Sequence, residues 1–326
     1  GAQRGHMPCL EIAGSVTAYG RKMIYHTKNR VMEIYTKANG KSHDADVIYG
    51  DTDSVMIKFG SNNLEKCMEL GKEAAEILTN EFEKPIKLEF EKVYYPYLLL
   101  SKKRYAGNFW TRPEKPDKKD CKGLESVRRD NCLLVRSMVG KVIDILLNEM
   151  DVSKAKNYVK NKIFDLQNGN IDLSKLIISK SLSKNLDFER LNQELESIGV
   201  NTQNSSTSKN SKSKSNVYII NLPHVSLAER LYKRNPNNPP MIGDRIPYVI
   251  IKGQRKSKLY ENSEDPQYAL EKDLPIDIEY YVEKQLKPPM KRIFDVAEKD
   301  HDIFTGSKLI KTKIRKTFKS NKRTDN

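Results

Sequence analysis

Two aspartates one residue apart, Asp51 and Asp53, interrupt the apolar stretch VIYGDTDSVMI at residues 47–57. On a strand or a tight hairpin, residues i and i+2 point to the same side. Buried together, two carboxylates would repel and raise each other's pKa. A divalent cation removes that conflict, and Mg²⁺ prefers carboxylate oxygens combined with substrate phosphates. Two such ions about 3.5–4 Å apart can activate an attacking oxygen and stabilise a leaving one. The spacing alone is not specific. An exposed turn accounts for many such pairs, and a nucleotide-sugar transferase also uses D-x-D with a metal. An EF-hand loop is excluded, because Val55 stands where a third oxygen ligand belongs and no glycine follows.

A second group is SKKRYAG, residues 101–107, which sets Lys102, Lys103 and Arg104 beside Tyr105. Cations neutralise phosphates, and a tyrosine ring can pack on a sugar or base. A solvated basic turn is the plainer reading. KGLESVRRDN, residues 122–131, adds Arg128 and Arg129 at an expected helix start. Ordinary surface arginines would look the same.

The elements that must hold these groups follow from periodicity. Apolar residues at helical spacing run from Leu10 to Ile34 within 8–38, and 64–82 reads as an amphipathic helix. Residues 46–50 and 54–59 read as short strands around GDTD, with Gly50-Asp51 as turn chemistry. Ile86, Leu88 and Phe90 alternate with charged residues, which predicts a strand. YLLLSKKRYAG extends that region as a basic turn or strand. From 124 onward the chain reads as mostly helical: 124–150, then 153–167 capped by Asn168-Gly169. VYIINLPHV and GDRIPYVII are strand-like. NTQNSSTSKNSKSKS, 201–215, holds nothing that can bury and predicts a disordered loop. Residues 308–323 carry eight Lys or Arg and predict a flexible tail.

The 326 residues exceed one small core, so two or more compact units are expected. Lys and Arg total 58 against 43 Asp and Glu, a net charge of +15. That surplus favours a polyanionic partner, nucleic acid before a membrane surface. No apolar run approaches about 18 residues, which excludes a helical membrane span. Cys9, Cys67, Cys121 and Cys132 lack C-x-x-C spacing and read as reduced cysteines of an intracellular protein. The absent initiator methionine suggests a piece of a longer protein.

Taken in order, MPCLEIAGSVTAYGR, YGDTDSVM, LEFEKVYYPYLLLSKKRYAG, CKGLESVRRDNC, HVSLAERLYKRNP, GDRIPYVII and SEDPQYALEKDLPIDIEYYVEKQLKPPMKRIFD resemble the family B replicative DNA polymerases, in their delta catalytic-subunit branch. The resemblance covers nearly everything outside 185–216 and the last 25 or so residues. It implies an α+β fold: a palm with an antiparallel sheet and packed helices, then a mostly helical thumb. Residues 1–7 would end the fingers, 8–122 form the palm, 123–307 the thumb, and 308–326 a basic tail. YGDTDS corresponds to the palm motif C. Asp53 then becomes a principal metal-binding carboxylate, Asp51 a supporting one, and Glu91 an acidic palm residue near the metals, with Glu89 on its strand face. Lys102 to Tyr105 would follow the minor groove of primer–template DNA. Arg128 and Arg129 would open the thumb, and Asp244 and Arg245 would face DNA.

The implied reaction is attack of a primer 3′-hydroxyl on the α-phosphate of a dNTP, releasing pyrophosphate. The implied cofactor is a pair of Mg²⁺ ions, with Mn²⁺ as a substitute. A sliding clamp and accessory subunits are implied partners, and a membrane is not. The motif A aspartate, the motif B lysine and the proofreading exonuclease of the family are missing from these residues. An isolated DNA-binding fragment without chemistry is therefore the main alternative, and the sugar-nucleotide transferase is disfavoured by the basic segments. The Asn/Lys/Ser insert, and a Lys-rich segment in place of the family's cysteine-rich tail, fit a large DNA virus or an AT-rich eukaryote. The implied location is a eukaryotic nucleus or a viral replication site.

Overall fold

A computed structural model describes residues 6–182, 221–235, 240–254 and 256–297. The expected loop at 201–215 and the basic segment 308–326 lie outside the described residues. The chain divides into two compact units, Gly1–Gly123 and Leu124–Asn326.

The first unit opens with helix α1, Leu10–Ile34. Its C-terminal half meets an antiparallel hairpin, β1 (Asp46–Asp51) and β2 (Ser54–Lys58). Helix α2, Leu64–Thr79, starts where the Asn63 side chain accepts a hydrogen bond from the Lys66 amide at 3.0 Å. Such a cap satisfies one of the amides a helix leaves open at its start. Val31, Tyr35, Ala45, Ala74 and Leu78 form one buried cluster, with Val47, Ile57, Phe59 and Leu88 packed against it. One face of the β1–β2 hairpin therefore rests on the helices. A second sheet is antiparallel and three-stranded, in order β3 (Val93–Ser101), β4 (Arg104–Trp110), β5 (Lys118–Lys122).

The alternating segment 86–91 forms no strand. Its backbone is held by a side chain instead of a ladder. The Leu88 amide donates to Thr79 Oγ1 at 2.8 Å, and that hydroxyl donates to the Leu88 carbonyl at 3.1 Å. Phe90 covers Gly71 so closely that a Cβ there would lie 2.6 Å from its ring. The apolar alternation thus reflects one-sided packing on α2.

The second unit contains α3 (Leu133–Asp144), which runs into a π-helical turn at Ile145–Glu149. It continues with α4 (Val152–Gln167), β6 (Ile178–Ser181), α5 (Pro223–Arg234), β7 (Arg245–Ile250), β8 (Ser263–Glu264) and α6 (Pro266–Glu271). The chain then forms α7 (Ile278–Tyr280), whose π-helical continuation Tyr281–Leu286 enters α8 (Lys287–Ala297). Strands β6, β7 and β8 pair antiparallel in that order. Val139, Val142, Ile250, Tyr281, Leu286, Met290 and Phe294 are among its buried residues. The hydroxyl oxygen of buried Tyr281 accepts a hydrogen bond from the Ile250 amide at 3.2 Å.

Two further expectations change. Residues 124–132 are turns, and the helix begins only at Leu133, so Arg128 and Arg129 stand before it. The LPHV part of VYIINLPHV starts helix α5, with Pro223 in its first turn, where the missing amide has no partner to lose. Among the described residues no helix is long and apolar enough to cross a membrane. Cys9, Cys67, Cys121 and Cys132 form no disulfide with one another.

Candidate functional site

Asp51 closes β1 opposite Ser54, and Thr52 and Asp53 make the turn between the strands. Thr52 takes a left-handed φ of 51°. The turn is pinned from inside: the Asp53 amide donates to the Asp51 carbonyl at 2.6 Å, and Ser54 Oγ donates to the same oxygen at 3.1 Å. The pair is not buried. Asp51 is half-buried and Asp53 exposed, so mutual repulsion in an apolar interior does not arise. The apolar flanks anchor the hairpin and leave its tip in water.

The KKRY turn reaches the same tip. Lys102 and Lys103 connect β3 to β4. Lys103 Nζ donates to both oxygens of Asp51, at 2.6 and 2.9 Å, across 52 residues of sequence. The Lys103 amide donates to Tyr49 Oη at 2.9 Å. The hydrogen bond from Lys103 pulls the Asp51 carboxyl below its ordinary range, and Asp51 in turn raises the Lys103 ammonium. Lys103 itself has a left-handed φ of 61°. Gly123, at φ 65°, passes so near the Lys103 carbonyl that a Cβ would collide with it. Only glycine meets both demands cheaply.

Aromatic rings complete the contact. Tyr105 packs edge-on against Tyr49, with centroids 6.1 Å apart, and contacts Tyr97 and Tyr94 at 5.6 and 5.9 Å. Tyr97 donates to Met56 Sδ at 2.9 Å, and Tyr94 to Asp120 at 2.8 Å. Burial raises the phenols of Tyr94 and Tyr97, so both stay neutral donors. The Tyr105 ring is thus committed to protein neighbours. Lys102 is exposed and Arg104 half-buried.

Glu91 is not gathered with the two aspartates. Its carboxylate pairs with Lys92 at 3.0 Å and is largely exposed, and Glu89 pairs with Lys87. Among the described residues, no group of three or more His, Cys, Asp or Glu is placed to hold a metal ion. The donor set nevertheless suits a hard cation in part. Asp53 has no ion-pair partner among the described residues, and Asp51 already grips one cationic group with both oxygens. These two carboxylates fit half a metal site, with further oxygens needed from elsewhere.

In the second unit, Arg128 approaches Asp130 at 3.4 Å and Arg129 is exposed. Arg245 is occupied internally. Its guanidinium donates to Ser179 Oγ at 3.0 Å, the Ser179 carbonyl at 2.6 Å, Ser181 Oγ at 3.1 Å and the Arg129 carbonyl at 3.5 Å. Asp244 accepts from the Met241 amide at 2.8 Å. Both therefore set the course of the backbone around β6, β7 and the RRDN turn. Two residues that position the site, Tyr49 and Gly123, escape a reading by motif chemistry. Gly123 is signalled only as a glycine at the end of a basic strand.

An acidic hairpin tip braced by a lysine turn is the setting in which the comparisons with known proteins fall. The chain matches the DNA polymerase family B profile over residues 1–194 and 187–297, and it belongs to that family. Three of its relatives carry one name. It is 50% identical over 322 residues to the DNA polymerase delta catalytic subunit of Candida albicans, covering 97% of this chain and 28% of that protein. The Glycine max subunit is 50% identical over 295 residues, covering 90% and 24%. The Plasmodium falciparum (isolate K1 / Thailand) subunit is 46% identical over 303 residues, covering 93% and 25%. The chain thus spans about a quarter of the length of the curated relatives it matches.

Proposed function

We propose that this chain supplies part of the polymerising site of a replicative DNA polymerase, which transfers nucleotides from dNTPs to a primer 3′-hydroxyl on template DNA. The observation that carries the reading is the meeting of the GDTD tip and the KKRY turn at Asp51 and Lys103. Carboxylates that can hold metal and cations that can hold phosphate then lie side by side, as phosphoryl transfer requires. Asp53, exposed and without an ion-pair partner, is the principal metal carboxylate in this reading, with Asp51 beside it and Glu91 as an outlying acid. Divalent ions, Mg²⁺ or Mn²⁺, would supply charge neutralisation and activation of the attacking hydroxyl. Lys103 keeps Asp51 ionised, and Lys102, Lys103 and Arg104 present positive charge to a duplex backbone. Arg129 is the exposed thumb contact, while Arg245 holds the turn that carries it.

The first unit acts as palm and the second as thumb in this proposal. Motif A and motif B residues, a clamp and accessory subunits complete the machine, and the nucleus is its place of work. The eukaryotic delta subunits among its relatives support that setting. Asp53→Ala in the complete polymerase should abolish primer extension and leave duplex binding largely intact. Near-normal extension in Mg²⁺ would remove Asp53 from the metal site. The isolated 326-residue chain should bind primer–template weakly and incorporate no nucleotide. Template-dependent incorporation by the pure chain would overturn the division of labour.

A further inference from the structure

Two asparagines in the whole chain, Asn39 and Asn168, are followed by glycine. That pairing has a chemistry of its own. The glycine amide nitrogen can attack the asparagine Cγ, because the glycine has no Cβ to crowd the approach. A bond forms between that nitrogen and Cγ, closing a succinimide ring, and the carboxamide nitrogen leaves as ammonia. Water then opens the ring at either carbonyl and gives aspartate or isoaspartate. Nothing is oxidised or reduced, and the only co-reactant is solvent water. The reaction requires a free carboxamide and a free glycine amide at the same moment.

In several respects the two pairs are alike. Asn39 ends the short 3-10 turn Lys37–Asn39, and Asn168 closes α4. Both asparagines are exposed, and the glycines that follow them have left-handed φ values of 77° at Gly40 and 73° at Gly169. Neither glycine has an atom within 4 Å of the place a Cβ would take. Free space therefore does not separate them.

Hydrogen bonding does. Asn39 Nδ2 donates to the Glu33 carbonyl at 2.7 Å and to the Ile34 carbonyl at 3.3 Å, which ties its carboxamide back to the end of α1. The Gly40 amide donates to the Lys37 carbonyl at 3.0 Å. The Asn168 carboxamide has no hydrogen-bond partner among the described residues. The Gly169 amide stands 3.3 Å from the Leu166 carbonyl, beyond the usual N–H···O range. Helix ends fray, so this contact opens more readily than one inside α4.

We propose that Asn168 is a self-modifying position, converted to aspartate or isoaspartate by attack of its own Gly169 amide, while the tether protects Asn39. The product alters the helix end. A carboxylate would stand at the C-terminus of α4, where the helix dipole disfavours negative charge, three residues after Asp165. Isoaspartate would also lengthen the main chain inside the turn that the Asn170 amide closes on the Asp165 carbonyl at 2.9 Å. The inference stands apart from the polymerase reading and does not depend on it.

The test uses the 326-residue chain and its Asn168→Gln variant, in which a larger and slower ring closure would be needed. Folded protein is held at mildly alkaline pH, where the attacking amide loses its proton more often, and is sampled over time. Mass spectrometry follows the exchange of amide for acid in the peptides containing Asn39 and Asn168. Isoaspartate is counted by enzymatic methylation. A parallel incubation in urea unfolds the chain and removes the tether.

A side-chain hydrogen bond changes an equilibrium by roughly two- to tenfold, so Asn168 should convert on the order of tenfold faster than Asn39 in the folded chain. The two rates should converge in urea. Asn168→Gln should abolish the mass change in its own peptide and leave the Asn39 peptide as it was. Equal rates in the folded chain overturn the proposal, as does an Asn168 that reacts only in urea. A rate ratio that persists in urea also overturns it, because neighbouring sequence and not the fold would then set the difference.

Discussion

Asp51 and Glu264 are both carboxylates gripped by cations, and their surroundings set them apart. At the hairpin tip, Lys103 is 71% and Asp51 32% exposed by side chain. In the second unit, Glu264 is 5% exposed. Arg234 reaches both its oxygens at 2.9 Å and lies over the Tyr268 ring at 4.1 Å, while Arg230 approaches at 3.5 Å. Arg230 also donates to the Ser263 carbonyl, and the Asp265 amide donates to Glu264 at 2.8 Å. Burial pulls the Glu264 carboxyl upward, yet Arg234, that amide and Arg230 outweigh it and leave it below the ordinary range. The first pair can exchange partners with water, metal or phosphate at little cost. The second joins α5 to β8 and cannot lose a member without stranding charge. A conspicuous salt bridge is thus a poor guide to function, and exposure decides which of the two can do chemistry.

The largest way to break this contrast is Glu264→Ala. It leaves the half-buried Arg230 and the solvent-reached Arg234 without their carboxylate, which should cost about 2–3 kcal/mol, less than a fully buried pair would lose because water reaches both guanidinium groups. Urea unfolding of the chain checks it. Asp51→Asn in the same assay should move the midpoint far less, because the pair it breaks is open to solvent. Equal losses in the two variants would erase the distinction.

Gly123→Ala is next. It forces a Cβ onto the Lys103 carbonyl at a left-handed φ, a strain of order 1–3 kcal/mol. The turn should respond by moving, so the loss should appear both in the unfolding midpoint and in primer–template affinity. Gly169→Ala is the control, with a similar φ of 73° and nothing within 4 Å. It should cost less and leave DNA binding alone.

The sequence made the hairpin around GDTD and the α2 helix readable, because each has a local signal. Strand alternation flanks Gly50-Asp51, and apolar residues recur at helical spacing after Asn63, whereas YLLLSKKRYAG read only as a basic turn or strand and its pairing into β3 and β4 was not legible. The RRDN turn was less accessible, since its course depends on Arg245 and Lys180 from distant strands. Segment 86–91 imitated a strand because an extended chain packing one face on a helix produces the same alternation. Asp51 and Asp53 were visible as chemistry, while the Lys103 partner was hidden by 52 residues of separation. Local periodicity carries no record of such a contact. Arg245 was visible as a cation, and nothing local reveals that its guanidinium makes four bonds to carbonyl and hydroxyl oxygens.

The smallest effect sharpens the contrast at the Asp51 end. Lys103 holds the Asp51 carboxyl below its ordinary value of 3.8 in the folded chain. A group depressed on folding stabilises the fold above its unfolded pKa, and the contribution disappears as pH falls through the folded pKa. The Asp51–Lys103 contact should therefore be fully present at neutral pH and fade below pH 3.8, with no change across the physiological range. Lys103→Met removes the hydrogen bond that is the first cause of the depression. In that variant the Asp51 carboxyl should titrate higher than in the wild type, as followed by carboxylate carbon chemical shifts. Because both groups reach solvent, added salt should narrow the gap between the two titrations. The Glu264 titration, shielded from solvent, should respond far less to the same salt. If Asp51 titrates identically with and without Lys103, the lysine does not hold it in solution, and the braced tip would have to be redrawn as a free carboxylate pair.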